Sequence, residues 1–227
     1  MTRQSCMRPF TRHRGRLAPL PHANVDTDQI IPARFLHRAR STGFADVLFH
    51  DLRAGEGTDR GGGFVLDEPA HAGASILVAG TNFGCGSSRE QAVWALADAG
   101  FRVVIAPSLG DIFRANALQN GLLALTLPEA TVARLMTIAE TEPQIGAEVD
   151  LQAQTITAGG VEVGFEIDPW RKEALMQGLS ETAMTLSQLD RIERFEQALY
   201  TAQPWLRSPF VEAVADPASH PGRSDHN

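Results

Sequence analysis

The sequence predicts an α/β fold whose sheet is partly parallel and flanked by helices, with a C-terminal hairpin and further helices after it. Three observations point there. Short apolar runs alternate with amphipathic stretches between residues 75 and 140, glycines and prolines punctuate the boundaries, and past Pro143 the texture changes to alternation around Gly159-Gly160. A short apolar run bounded by turn signals reads as a buried strand. A helix between two such runs makes them parallel neighbours, because a parallel pair needs a crossover connection.

Taken in order, residues 21–36 (PHANVDTDQIIPARFL) begin with the polar cluster Asn24 to Asp28, followed by Ile30 and Ile31 ahead of Pro32. This is a loop leading into a short element. Residues 34–63 dissolve into charges and glycines, among them Gly55, Gly57 and Gly61-Gly62-Gly63, and are expected to form a flexible flap. Residues 75–79 (SILVA) are the first clear strand and residues 101–106 (FRVVIA) the second. Between them Ala92, Val93, Leu96 and Ala99 mark the apolar face of a helix over 88–99. A second helix covers 111–120 with Gly121 as its stop, a third strand 122–127, and Pro128 opens a helix to about Glu140. Val149, Leu151 and Ile156 precede the Gly-Gly pair and Val161, Val163, Phe165 and Ile167 follow it, which predicts a hairpin. Helical patterns resume over 169–179 and 186–200. Three regions follow: a loose extension at 1–16, one domain at 17–202, and a disordered tail at 203–227 containing Pro204, Pro209, Pro217 and Pro221.

Composition excludes several classes of function. A chain of 227 residues, 43% hydrophobic, is long enough to bury a substantial core of its own. Its net charge of −7 argues against nucleic acid as a partner. Arg3, Arg8, Arg12, Arg14 and Arg16 all precede the first acidic residue, Asp26, but Pro9 interrupts them, so they read as a solvated terminus rather than a targeting helix. No run approaches the ~18 apolar residues of a membrane span. The two cysteines, Cys6 and Cys85, suggest a reducing compartment, hence a cytoplasmic protein. They are also too few to ligate a four-iron cluster.

The chemistry concentrates in residues 80–92, GTNFGCGSSREQA. Ser87 and Glu90 stand at capping-box spacing before the amphipathic run, which predicts Ser87 as N-cap. Gly80, Gly84 and Gly86 let backbone approach a ligand closely, and a helix N-terminus presents unpaired N–H groups and partial positive charge. Arg89 is not what the helix dipole would select at a first turn, and its planar fork suits a carboxylate, so the site is expected to bind an anion. A Walker phosphate loop would have Lys where Ser87 stands. The dinucleotide fingerprint would have Gly where Arg89 stands. Cys85 reads as a small packing residue rather than a reactive thiol.

These motifs carry a specific resemblance. Residues 84–90 (GCGSSRE), residues 24–28 (NVDTD) and Ile30-Ile31-Pro32 resemble the small subunits of 3-isopropylmalate dehydratase, counterparts of the aconitase swivelling domain. The likeness continues through residues 42–44, 73–77, 100–108, 111–113 and Asn116, then more faintly to about Tyr200. It implies a swivelling β/β/α fold, a hydro-lyase interconverting 2- and 3-isopropylmalate in leucine biosynthesis, and a large partner subunit holding a [4Fe–4S] cluster, with no cofactor on this chain. It implies Ser87 as the catalytic base and Ser88 and Arg89 as holders of substrate carboxylates. Thr27 and Asp28 are implied at the substrate-binding rim, and Phe35, Leu36 and Phe44 in a loop that selects the substrate. Gln91 departs from the family's usual His, which leaves open a sister enzyme acting on citraconate, dimethylmalate or homoaconitate. A non-catalytic carboxylate-binding module is the more distant alternative.

Overall fold

A computed structural model describes residues 7–55 and 64–206, and the chain divides into two compact units, Met1–Glu181 and Thr182–Asn227. The first unit is built on a seven-stranded sheet in the order β4-β3-β2-β1-β5-β6-β7. Its strands are β1 (Arg12–Leu20), β2 (Ile76–Ala79), β3 (Val103–Ala106), β4 (Leu123–Thr126), β5 (Gly146–Asp150), β6 (Thr155–Ala158) and β7 (Val161–Gly164). The first four are mutually parallel, whereas β5, β6 and β7 join antiparallel to β1 and to one another.

β1 is where the sheet changes character. Arg12 to Arg16 pair antiparallel with β5, and Leu17 to Leu20 pair parallel with β2. This corrects the expectation of a loose segment through residue 16. Arg12, Arg14 and Arg16 share one face of the strand at the two-residue period of β-structure. There Arg12 Nη2 reaches Asp150 Oδ2 at 2.6 Å, Arg14 pairs with Glu148, and Arg16 Nη1 meets Gln144 Oε1 at 2.5 Å. Arg12 and Arg14 thus have cross-strand partners on β5, each pair contributing roughly 0.2–1 kcal/mol.

Period-two alternation divides the core between the two faces of the sheet. Leu77, Ala79, Val104 and Ala106 face α3 (Glu90–Asp98) and α4 (Asp111–Gln119), through Val93, Leu96, Phe113 and Ala117. Ile76, Val78, Val103 and Ile105 face α5 (Glu129–Thr141) and the antiparallel strands, through Val132, Leu135, Val149 and Ile156. The hairpin between β6 and β7 turns on Gly159 (φ +53°) and Gly160 (φ +76°), the pair of left-handed residues that a two-residue type I′ turn demands.

Residues 33–53 also differ from expectation. Three 3-10 turns at Ala33–Phe35, Arg40–Thr42 and Ala45–Val47 lead into the short helix α2 (His50–Arg53), and Phe44, Val47, Leu48, Phe49 and Leu52 are buried. A segment that buries five apolar side chains is part of the core, so the flexible-flap expectation fails for these residues; residues 56–63 lie outside the described ones. Phe44, Val47, Leu48 and Leu52 stand at the i, i+3, i+4, i+8 spacing of a helix, a signal that the surrounding charges and glycines masked and that the chain realises only as 3-10 turns and one four-residue helix.

α6 (Pro169–Gln177) is capped by Asp168, whose carboxylate accepts from the Arg171 N–H at 3.0 Å, and ends at Gly178 with φ +68°. α7 (Glu181–Leu186) begins at the boundary between the units, and α8 (Leu189–Ala202), in the second unit, buries none of its residues. The tail expected from residue 203 begins with a 3-10 turn at Pro204–Leu206, and its remainder lies outside the described residues. Among the described residues no helix is long and apolar enough to cross a membrane.

Candidate functional site

The site forms where β1, β2 and β3 run out at their carboxyl ends, the place where open parallel sheets bind ligands. Beyond β1 and β2 the chain continues as two adjacent loops zipped by backbone hydrogen bonds. Asn24 N–H donates to Thr81 O (2.8 Å), Gly84 N–H to Val25 O (2.7 Å) and Thr27 N–H to Cys85 O (2.9 Å). The loop after β3 closes the other side, with Phe83 N–H donating to Ser108 O (3.2 Å) and Gly110 N–H to Phe83 O (2.9 Å). Residues 80–89 are therefore held from both flanks.

Two glycines are required by this packing. Gly84 has φ +72°, and a Cβ there would lie 2.7 Å from Cβ of the buried Phe113. Gly86, at φ +88°, turns the chain outward before Ser87. Asn24 and Asn82 also take left-handed conformations and join the two loops through Asn82 Nδ2–H to Asn24 Oδ1 at 2.9 Å.

The structure revises the predicted cap. Arg89, not Ser87, occupies the N-cap position of α3, and no side chain caps that end. Glu90 instead accepts from Asn120 Nδ2 at 2.9 Å. The true capping box belongs to α1 (Thr27–Ile30), where Asp26 and Gln29 satisfy each other's backbone N–H groups. A Ser-x-x-Glu pattern thus failed because the helix starts two residues later than its capping spacing implies. The functional consequence is that the Ser87 hydroxyl is not engaged in capping.

Ser87 and Ser88 are exposed, and Arg89 lies beside them with its side chain only 15% exposed. Arg89 Nη1 donates to Asp28 Oδ1 and, at 3.2 Å, to Ile31 O. Among the described residues its Nε and Nη2 make no hydrogen bond. The Arg89 guanidinium holds the Asp28 carboxyl below the usual carboxylate range, and the Ala33 N–H donating to Asp28 at 2.8 Å acts in the same direction. Ala92 N–H is the first of α3 to find a helical acceptor, Arg89 O at 3.2 Å, and among the described residues the N–H groups of Glu90 and Gln91 have no backbone acceptor, which leaves them open to an anion. Two exposed hydroxyls, an arginine with an open edge and a helix mouth thus converge on one surface.

Of the predicted site residues, Ser87, Ser88, Arg89 and Asp28 come together at this surface. Thr27 is beside them but 2% exposed, and its Oγ1–H donates inward to Ser87 O at 2.9 Å rather than pointing to the surface. Phe44 is fully buried against Trp94, with ring centroids 5.7 Å apart, and is likewise withdrawn from substrate. Phe35 and Leu36 remain half-buried. Gln91 occupies the second position of α3, also half-buried. Cys85 acts through its backbone, as the acceptor for Thr27.

Sequence reasoning missed Arg34, His50 and Asp51. Arg34 pairs with Asp51 and lies over the Phe35 ring at 4.8 Å, and the His50 ring packs tilted against Phe35 with centroids 5.0 Å apart. Arg34, with help from His50, holds Asp51 down to about 2, and the Asp51 charge is felt at Asp28. No spacing in the sequence signals this group; only packing of residues 33–53 creates it.

An iron–sulfur cluster does not fit this donor set. The chain has two cysteines, and among the described residues no three His, Cys, Asp or Glu side chains gather as a metal site.

Residues 7–130, more than half of the chain, match the family model described as the aconitase C-terminal domain, and residues 133–169 match a second model described as LeuD_N. The 3-isopropylmalate dehydratase small subunit of Acidothermus cellulolyticus is 50% identical over 89% of this chain and 100% of its own length. The chain belongs to the family of 3-isopropylmalate dehydratase small subunits. Other members of this small-subunit family include that of Frankia alni, 49% identical over 89% of this chain and 99% of the relative. Small subunit 1 of Bordetella parapertussis is 46% identical over 89% and 98%. Among solved structures, the 3-isopropylmalate dehydratase of Methanocaldococcus jannaschii superposes with a TM-score of 0.59 at 27% identity, covering 81% of this chain and 99% of that one.

Proposed function

We propose that this chain is the small subunit of a hydro-lyase that interconverts 2- and 3-isopropylmalate in leucine biosynthesis. It works in the cytoplasm with a large subunit that carries a [4Fe–4S] cluster. Ser87 is the base: its alkoxide takes a proton from the methylene carbon next to one carboxylate as hydroxide leaves the neighbouring carbon, and a second proton from an acid on the large subunit makes that hydroxide water. Water then returns across the double bond with hydroxyl and hydrogen exchanged in position. Ser88 and Arg89 hold a substrate carboxylate, and Asp28 keeps Arg89 in place from its far side.

A serine hydroxyl is far too weak a base in water, so its alkoxide needs local positive potential. Arg89 and the free N–H groups at the mouth of α3 supply it, and fixed donors of this kind are worth roughly 10²–10³ in rate each. The observation that carries the proposal is the exposed, uncapped Ser87 beside the open edge of Arg89 at the carboxyl ends of the parallel strands. Co-expression with the cluster-bearing large subunit, followed by assay on isopropylmalate, citraconate, dimethylmalate and homoaconitate, tests it. Preferred turnover of an isopropylmalate supports the reading. Preference for another diacid would favour a sister hydro-lyase, the alternative that Gln91 raises. Tight binding of a malate analogue by this chain alone, without turnover in the pair, would favour a carboxylate-binding module.

A further inference from the structure

We propose that Thr27 is a positioning residue for the base: it fixes the peptide unit after Ser87 and tunes that serine's proton affinity, without touching substrate. The inference rests on the reading of Ser87 as base.

Thr27 grips the loop at two points. Its N–H donates to Cys85 O at 2.9 Å and its Oγ1–H to Ser87 O at 2.9 Å. The two carbonyls bracket Gly86, whose φ of +88° is the turn that sends Ser87 outward. A left-handed glycine is a free joint unless something on either side fixes it. One residue fixes both sides here, from the first position of a helix whose own start is locked by the Asp26–Gln29 capping box.

The second hydrogen bond has an electronic consequence. Ser87 C=O and Ser88 N–H belong to one planar peptide unit. A donor on the carbonyl polarises that unit and strengthens its N–H, as chains of hydrogen bonds do in a low-dielectric setting. It also neutralises the negative pole of the carbonyl nearest to the Ser87 alkoxide. With Thr27 2% exposed, the donor side of this contact is shielded from solvent. Removal of the hydroxyl therefore leaves the carbonyl unpaired, loosens the joint and makes Ser87 harder to deprotonate.

The test compares Thr27→Val, Thr27→Ser and Ser87→Ala in the two-subunit enzyme, measuring kcat, KM and the pH profile of kcat. Thr27→Val is expected to lower kcat roughly 10- to 100-fold, as a small misplacement of a reacting group does. KM should stay within about twofold, and the acidic limb of the profile should move to higher pH. Thr27→Ser, which keeps the donor, should recover most of kcat and return the limb. The limb's position does not depend on how much of a variant folds, so poor yield of Thr27→Val leaves the test intact. An unmoved limb, or a loss that Thr27→Ser fails to restore, overturns the proposal. Near-normal turnover in Ser87→Ala would instead remove the base reading itself; an inactive Ser87→Ala beside a normal Thr27→Val would remove only the role given to Thr27.

Discussion

Replacing Gly84 by alanine probes whether the loop that presents Ser87 is held by close packing or merely traced by the chain. Gly84 sits at φ +72°, where an L-residue costs roughly 1–2 kcal/mol. The added methyl would also stand 2.7 Å from Phe113 Cβ, and Phe113 is 2% exposed and packed edge-on against Phe83 with centroids 5.3 Å apart. Forcing extra volume into such a place costs roughly 1–3 kcal/mol more. The expected loss is therefore ~2–5 kcal/mol; at ~3 kcal/mol, Tm would fall by roughly 6–12 °C for a domain of this size. Gly160→Ala is the control, because its φ of +76° is similar but nothing lies within 4 Å of the added methyl. Urea unfolding of both variants isolates the Phe113 overlap as their difference, expected at ~1–3 kcal/mol. Equal stabilities within ~0.5 kcal/mol would refute the argument that Phe113 fixes this loop.

Other perturbations follow from the same geometry. Ser87→Ala should leave the urea midpoint nearly unchanged, because the Ser87 hydroxyl caps no helix, whereas removing a true N-cap costs ~1 kcal/mol. Arg89→Lys keeps the charge but loses the planar fork, so KM for the diacid should rise by about tenfold in the two-subunit enzyme. Asp51 is held down to about 2 by Arg34, so it stabilises the fold fully above the unfolded carboxylate value of ~4 and loses that contribution as pH falls through its folded value. The gap in urea midpoint between the native chain and Asp51→Asn should accordingly be widest at neutral pH and narrow between about pH 4 and 2; a gap that widens on acidification would contradict the pairing.

The parallel half of the fold was legible because its strands are buried on both faces, and β2, β3 and β4 read as continuous apolar runs separated by helical periods. The Gly159-Gly160 hairpin was legible for a related reason, since its turn chemistry admits few alternatives. β1 was not. Arginines on one face and Pro19 within the run disguise a central strand, and its partners Glu148 and Asp150 lie far away in sequence. Residues 33–53 were misread because charges and glycines drew attention away from the helical spacing of Phe44, Val47, Leu48 and Leu52. At the site, residue types and spacing singled out Ser87 and Arg89, and the family resemblance added Ser88 and Asp28. Orientation was beyond them: nothing in the spacing says that Thr27 turns inward, that Phe44 is sealed against Trp94, or that Arg89 rather than Ser87 begins the helix.

The central claim is that Ser87 moves the proton. The most direct measurement uses the two-subunit enzyme in deuterated water and follows deuterium entering the substrate carbon next to the carboxylate, alongside formation of the unsaturated diacid. The native pair should do both, and Ser87→Ala should lose both by at least about 10³-fold while assembling normally. Exchange and dehydration persisting at near-native rates in that variant would contradict the account.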